Sequence, residues 1–487
     1  MHPAVAIAVL VAYVGLLVVG ITAHEPWFDE AQAWLIARDA SFTDLFTKYL
    51  RYEGHPPLWY CILAVPAKLG LPYKSINVVS AAIATVGVGL LLRQRAVPVA
   101  IRVLLPFTFF LAYQYTIVSR SYVLLFPILL LILDLYERRR EYLWRFVLLL
   151  VLLSQVSLHG MSLAGAFTVL YIFDVWPQRR SFGRHEIQRH SLALGVLLLD
   201  VLVTALILRP PGDLAIRTKL DFHFTPARVL ATGWSALSSS LAGPGLFSAL
   251  LLLVLCVWFY RRRVLGVFLT LIGSLLPISS IYFNRWHEGV FFLTFMFVVL
   301  LAFCRSATHT RGGGDRRLEL AALALVLLLL VRHFSWTLLS YRYDLEKPYS
   351  GSRAAAVYIA AHKLEATKLF GAGFPVLAVQ PYFDRPLFAN YRTQGGFSFW
   401  DWSTSSPFFY RPAAILRRED MRAWMREQLA LRPGYFLVSR KFPSDEEYVR
   451  ELLATGDYAL IETFPGAHFW KNAIGEEESF QLFARAR

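Results

Sequence analysis

Long apolar stretches, separated by short loops in which arginines gather, constrain this chain more than any other feature. Val5–Val19, Val123–Leu133, Leu148–Leu153, Leu250–Val257 and Leu318–Val331 are such stretches. With their flanks they are long enough to cross roughly 30 Å of hydrocarbon as helices. Only 17% of the 487 residues are charged, where soluble domains carry roughly a quarter, and the apolar excess is clumped rather than spread. Val5–Ile21 lacks a basic leader and is followed by further apolar stretches, so it reads as a retained first helix and not as a signal peptide.

The net charge of +15 would suggest nucleic acid if topology were ignored. The arginines, however, sit between apolar windows: Arg93, Arg95 and Arg102; Arg138, Arg139 and Arg140; Arg179, Arg180, Arg184 and Arg189; Arg261, Arg262 and Arg263; Arg305, Arg311, Arg316 and Arg317. That is the positive-inside pattern of a membrane protein, and it accounts for the basicity without a nucleic-acid partner. Cys61, Cys256 and Cys304 lie in apolar stretches with no paired spacing, which argues against a disulfide framework and against a zinc site.

With the arginine loops in the cytoplasm, the spans fall at 5–23, 76–92, 98–116, 118–136, 143–158, 161–176, 190–208, 244–260, 264–283, 286–304 and 318–336. The expectation is a polytopic α-helical protein of the plasma (inner) membrane, with about eleven crossings. Its N-terminus is cytoplasmic and its C-terminal domain extracytoplasmic. Residues 57–71 are apolar but short and carry Pro66, so they read as an interfacial or re-entrant helix on the outer side. The pair of spans around His159 and Gly160 reads as a tight hairpin turning at the outer face.

Residues 1–340 thus form a membrane domain with an outer loop at 24–56, a second outer region spans Arg209–Gly243, and 341–487 form an outer domain. In that tail 375–383, 435–441 and 458–464 read as strands. Residues 352–364, 418–430 and 444–456 read as helices, the last with Ser444 as N-cap and Gly456 as stop. The order suggests a small α/β domain. It has no Gly-rich phosphate loop.

The first outer loop reads HEPWFDEAQAWLIARDASFTDLFTKYLRYEGHPPLWY. Asp29 and Glu30 are adjacent carboxylates where the chain leaves the first helix, and Lys48, Arg51 and His55 return towards the membrane. Asp29 also suits the N-cap of a short amphipathic helix, with Gln32 completing a capping box and Ala31, Trp34 and Leu35 turned to lipid. His55-Pro56-Pro57 equally suits a helix start. Trp27, Trp34, Trp59 and Tyr60 read as an interfacial aromatic belt.

An Asp-Glu pair just after the first span, followed by a His-Pro-Pro-Leu segment, resembles the lipid-linked-sugar glycosyltransferases of the C-type fold, among them protein O-mannosyltransferases and the aminoarabinose transferases of lipid A. FDEAQAW (28–34) with YEGHPPLWY (52–60) is closer to an uncharacterised bacterial branch of that superfamily. YTIVSRSYVLL (115–125) is similar to a Ser-Arg-containing stretch that follows a span in these enzymes. The likeness runs through about the first 140 residues and is architectural beyond them.

The resemblance implies a polyprenyl-phosphate sugar donor and a hydroxyl acceptor on lipid, glycan or protein, reacting at the outer leaflet, with inversion. Asp29 would be the general base. Glu30 would orient Asp29, bind the acceptor, or help hold a divalent cation; the sequence assigns no metal ligand otherwise. Arg120, at the outer end of a span, would meet the leaving phosphate, unless it only snorkels to the interface. His55, Lys48 and Arg51 are further phosphate candidates, and His159, Arg285 and His287 are rim contacts. Two other classes compete. A transporter of a lipid-linked intermediate would use mid-membrane polar groups, of which Asp200 is the one well inside a span, Asp134 and Asp174 lying near cytoplasmic ends. A non-catalytic scaffold would leave the polar first loop unexplained.

Overall fold

The computed structural model describes all residues except 215–219, 221, 244, 307–312, 392–397, 405–417 and 487. Arg311 therefore lies outside the described residues. Among the described residues six helices are long and apolar enough to cross a membrane: Pro3–Ala23 (α1), Ser75–Leu92, Leu158–Ser181, Arg184–Ile207, Arg285–Arg305 and Arg316–Glu346. They coincide with six of the expected spans, so the chain is a multi-pass, mostly helical membrane protein by length and composition. The expected count of about eleven is not reached on that test.

The remaining expected spans are short or broken, for identifiable reasons. Leu143–Ser154 and Leu265–Ile281 are apolar helices of 12 and 17 residues. Pro226–Leu241 and Leu246–Arg261 meet at 95°. The first of these lies where the sequence suggested only an outer loop. Leu58–Lys68, at about 1.5 Å per residue, is too short to cross, as expected for 57–71.

Residues 98–124 depart furthest from expectation. Two straight spans were anticipated around Ser119. Instead the backbone is extended at Thr108 and again at Arg120, with a short π turn, Phe109–Gln114, between them and a 3-10 turn on either side, Leu105–Phe107 and Ser121–Leu124. Pro98 and Pro106 remove helix donors. Non-helical backbone at membrane depth is tolerated only inside protein, and Phe109–Ser119 is buried throughout. Neighbouring helices bind its carbonyls: Tyr13 Oη donates to Leu111 O (2.7 Å), Tyr341 Oη to Ala112 O (3.0 Å) and Asn77 Nδ2 to Ile117 O (2.9 Å).

The final span also runs past the expected boundary at 341, to Glu346. Beyond it lies a four-stranded sheet in the order β1-β2-β6-β3, with β1 Leu369–Ala372, β2 Tyr435–Ser439, β3 Tyr458–Phe464 and β6 Phe480–Arg485, plus a hairpin of β4 Ala467–Trp470 and β5 Ala473–Glu477. β1 and β2 are parallel; β6 is antiparallel to both its neighbours. Strand alternation splits the sheet's side chains between two cores. Phe436, Val438 and Phe483 pack with Met425, Tyr448 and Leu452 under the helices Arg418–Ala430 and Glu446–Ala454. Leu437, Phe480 and Leu482 join the core of the membrane domain. Strands at 435–439 and 458–464 and helices at 352–361 and 418–430 match expectation. Phe374–Tyr382 is a buried 3-10 helix and not a strand; its apolar residues run on without alternation, and Pro375 sits in its first turn. Ser444 does not cap the helix at 446: it lies in a 3-10 turn, Pro443–Asp445, whose start Asp445 holds by accepting the Phe442 amide at 3.1 Å, and Asp445 then occupies the N-cap position of the helix without a side-chain bond to it.

The arginine loops gather at one end of the helices. Arg305 binds Glu137 and the Arg263 carbonyl, Arg262 binds Glu319, and Arg139 binds Asp174. At the other end the ends of α1 and of the last span, from which the first loop and the C-terminal domain lead off, meet through His24–Asp344. On the positive-inside rule the expected orientation has the C-terminal domain outside. In a variant with Cys61, Cys256 and Cys304 replaced, single cysteines at Arg139 and Arg262 should label only from the cytoplasm and one at Ser444 only from outside. Labelling of position 444 from the cytoplasm would overturn this orientation.

Candidate active site

The site is built on the helix that follows α1, Phe28–Asp39 (α2). Trp27 occupies the N-cap position, so Asp29 is not the cap. Glu30, at the third helical position, turns back to accept the Trp27 amide at 3.2 Å. The Phe28 amide is bound by Glu478 Oε1 at 2.9 Å, from 450 residues further along the chain. Gln32 completes no capping box: it binds Glu53 Oε1 at 2.8 Å and both the N and O of Trp400, each at 2.8 Å. Nor does α2 face lipid. Ala31, Trp34 and Leu35 are buried, as are Trp27, Trp59 and Tyr60, and the C-terminal domain covers part of this face, with His468 against Trp27 and Tyr382 against Tyr73, which packs on Trp34. The aromatic belt expected at the interface is therefore internal.

Glu30 is completely buried and all its capacity is taken. One oxygen accepts from the Ser119 amide (2.8 Å) and Asn77 Nδ2 (3.2 Å), the other from Trp27 N and from His24 Nε2 (3.1 Å). His24 Nδ1 in turn meets Asp344 Oδ2 at 3.0 Å. Burial alone would pull the His24 imidazole down, but Glu30 and Asp344 together push it up to about 9, so it is an imidazolium held between two carboxylates. Of the roles expected for Glu30, only orienting Asp29 fits this position; no lone pair is left for an acceptor or a cation.

Asp29 points the other way. Its Oδ2 binds Arg120 Nη1, and its side chain remains 31% exposed, Arg120's 16%. Arg120 reaches it because the backbone is extended there, and its guanidinium lies 6.0 Å from the Trp27 ring and 5.8 Å from that of Tyr122. His55 feels the charge of both Asp29 and Arg120. Its Nδ1 is 2.7 Å from the Glu53 carbonyl, and burial first, then Arg120, lowers its pKa. The ring is thus neutral, donates at Nδ1, and keeps a lone pair on Nε2.

His159 and His287 stand with ring centroids 4.4 Å apart beside Tyr122 and Tyr282. His159 sits in the first turn of its helix, where Gly160 packs so tightly that a Cβ would lie 2.2 Å from Leu153 O. Its Nε2 is buried without a hydrogen-bond partner among the described residues. Asp29, Arg120, His55, His159 and His287 therefore come together. Of the other three sequence candidates, Arg285 pairs with Glu476 at 2.9 Å, Arg51 binds the Arg209 carbonyl at 3.2 Å, and Lys48 lies over the Tyr49 ring.

Sequence reasoning missed Glu53. Burial raises its carboxyl to about 7, and Asp29's charge adds to the rise, against hydrogen bonds from Gln32, Trp402 and Tyr60. Its position in YEGHPP, two residues before His55, was the available signal. Among the described residues no group of three or more His, Cys, Asp or Glu is arranged to hold a metal ion.

No protein-family model matches the chain, and no curated protein matches it. The chain is similar to a solved arabinofuranosyltransferase. This is the cryo-electron-microscopy structure of arabinofuranosyltransferase AftD from Mycobacteria, at a TM-score of 0.44 and 13% identity. The similarity covers 100% of this chain and 40% of that one, so the chain spans about 40% of that protein's length.

The Glu30 network makes a stability prediction. Removing one partner of a buried, paired charge costs about 3–5 kcal/mol. Glu30→Ala should destabilise the protein by that order, read as unfolding in detergent. His24 is raised when folded, so its contribution is full below its ordinary value of 6.5 and is lost as pH rises through about 9. A Glu30→Ala protein as stable as wild type at pH 7 would remove the network as a stabilising element.

Proposed function

We propose that this protein is a membrane glycosyltransferase that moves a sugar from a polyprenyl-phosphate donor to an acceptor hydroxyl at the outer membrane surface. The observation that carries this reading is the accessible Asp29–Arg120 pair, ringed by His55, His159 and His287, at the end opposite the arginine loops. A carboxylate and a guanidinium side by side supply the two things such a transfer needs.

In the proposed reaction the acceptor O–H gives its proton to Asp29, and its oxygen forms a bond to the anomeric carbon. The bond from that carbon to the phosphate oxygen breaks on the opposite face, and its electron pair leaves with the lipid phosphate. The product is inverted at that carbon. Arg120 exchanges Asp29 for the phosphate, where planar bidentate contacts suit it. His287 Nδ1 accepts the Asn284 amide at 3.2 Å, which leaves its proton on Nε2 as a further donor. His55, with Nε2 unprotonated, suits proton acceptance better than phosphate binding. Lys48, Arg51 and Arg285 are left out of the donor site on this reading.

The test is transfer from radiolabelled polyprenyl-phosphate sugars to membrane extracts by the intact protein. General-base removal of a proton contributes about 10²–10⁴-fold, so Asp29→Asn should lower turnover by about that much while folding and donor binding persist. Near-normal turnover in a folded Asn variant would move the base elsewhere. Arg120→Ala should weaken donor use strongly, and Arg120→Lys should restore only part of it, since Lys offers a point charge without the fork. Donor binding unchanged in the Ala variant would remove Arg120 from the site.

A further inference from the structure

His287 owes its place to residues that the C-terminal domain holds. It lies in a single 3-10 turn, Arg285–His287, that leads into the helix beginning at Glu288. Each neighbour of His287 is gripped. Arg285 binds Glu476 on β5 at 2.9 Å. The Trp286 ring packs against Trp27, His468 and Trp470, and its carbonyl accepts Tyr115 Oη at 2.7 Å. Gly289 lets the Tyr115 ring approach; a Cβ there would stand 2.4 Å from it. Glu288 Oε2 meets Lys471 Nζ at 2.5 Å, and both side chains are buried.

Lys471 is the tip of the β4–β5 hairpin, in a left-handed conformation with φ of 60°. Its ammonium also donates to Ser239 O at 2.5 Å and lies 4.6 Å over the Trp336 ring. A lysine buried in this way, on a strained turn reaching out of its own sheet domain, exceeds what packing of a hairpin requires. Taking a cation and a carboxylate out of water carries a desolvation cost that their attraction repays only in good geometry, so such a pair adds little to stability while holding both groups in one place.

We propose that Lys471 is a positioning residue for the donor site: through Glu288 it sets the turn that aims His287 at the Asp29–Arg120 cluster. This rests on the glycosyltransferase reading above. The C-terminal hairpin then completes the transfer site, acting on the donor side and not on proton removal from the acceptor.

The experiment measures donor KM and kcat of the full-length protein with the polyprenyl-phosphate sugar that wild type transfers. It compares Lys471→Met, Lys471→Arg, Glu288→Gln, His287→Ala and the double variant Lys471→Met/His287→Ala. A misplacement of about 1 Å can cost as much as 10²-fold, so Lys471→Met should lose about 10- to 100-fold in kcat/KM, mostly through donor KM. Lys471→Arg should recover part of the loss. The double variant should be no worse than His287→Ala, because residues acting through one another are not additive. Glu288→Gln keeps the side chain's shape and carries the same comparison where Lys471→Met does not fold. Losses that add in the double variant, or a donor KM untouched by breaking the pair, overturn the proposal. A wild type that transfers no sugar overturns the glycosyltransferase reading itself, a different and separable result.

Discussion

One fully buried carboxylate, Glu30, ties four pieces of chain together. It receives the amide of Trp27 at the start of α2, the amide of Ser119 in the broken segment, the Asn77 side chain from a spanning helix, and His24 at the end of α1. A charge without water must have its lone pairs filled, and here each partner comes from a different element. His24 extends the knot to Asp344 on the last span, which Tyr113 Oη also binds at 2.9 Å. Loss of any one partner leaves a buried charge short, so the elements can be arranged in few other ways. The break at Arg120 is consistent with this, because the Ser119 amide is bound to Glu30 and not to a carbonyl earlier in its own segment.

The C-terminal domain belongs to the same construction. Glu478 caps α2 through the Phe28 amide, and burial, which alone would raise its carboxyl, is overcome by Lys441 and His468, which bring it down to about 2. Gln32 clasps Trp400 at both backbone atoms. The sheet shares its core on one face with the membrane helices. A domain that merely sat outside the membrane would not lend a capping carboxylate to the first loop and a buried lysine to the helix starting at Glu288.

Much of this was legible in the residues and some was not. Hydropathy and arginine placement located six spans and the side on which charged loops gather, because both follow from the bilayer acting locally. Asp29, Arg120, His55, His159 and His287 were recognisable as polar groups where apolar stretches end. Three things were hidden. Residues 98–124 are apolar enough for two spans, and the groups that let their non-helical backbone stay buried are distant in sequence: Tyr13, Asn77 and Tyr341. β6 and the β4–β5 hairpin have too little alternation to stand out from the tail. The aromatic residues of the first loop have the composition of an interfacial belt; only the domain folded over them shows that they are core.

The Asp29-Glu30 dipeptide illustrates the limit of reading function from a motif. Adjacent helical residues point about 100° apart, so two neighbouring carboxylates on α2 cannot share one environment. Once Glu30 is committed inward, Asp29 must face the opening where Arg120 meets it. The pair is then a division of labour fixed by helix geometry. The inward carboxylate consumes its lone pairs in holding the loop, His24 and the broken segment in place. The outward one keeps an oxygen available beside a cation. In the proposed transfer this makes the two positions unequal in kind: a change at Glu30 acts through the fold, and a change at Asp29 acts on the proton.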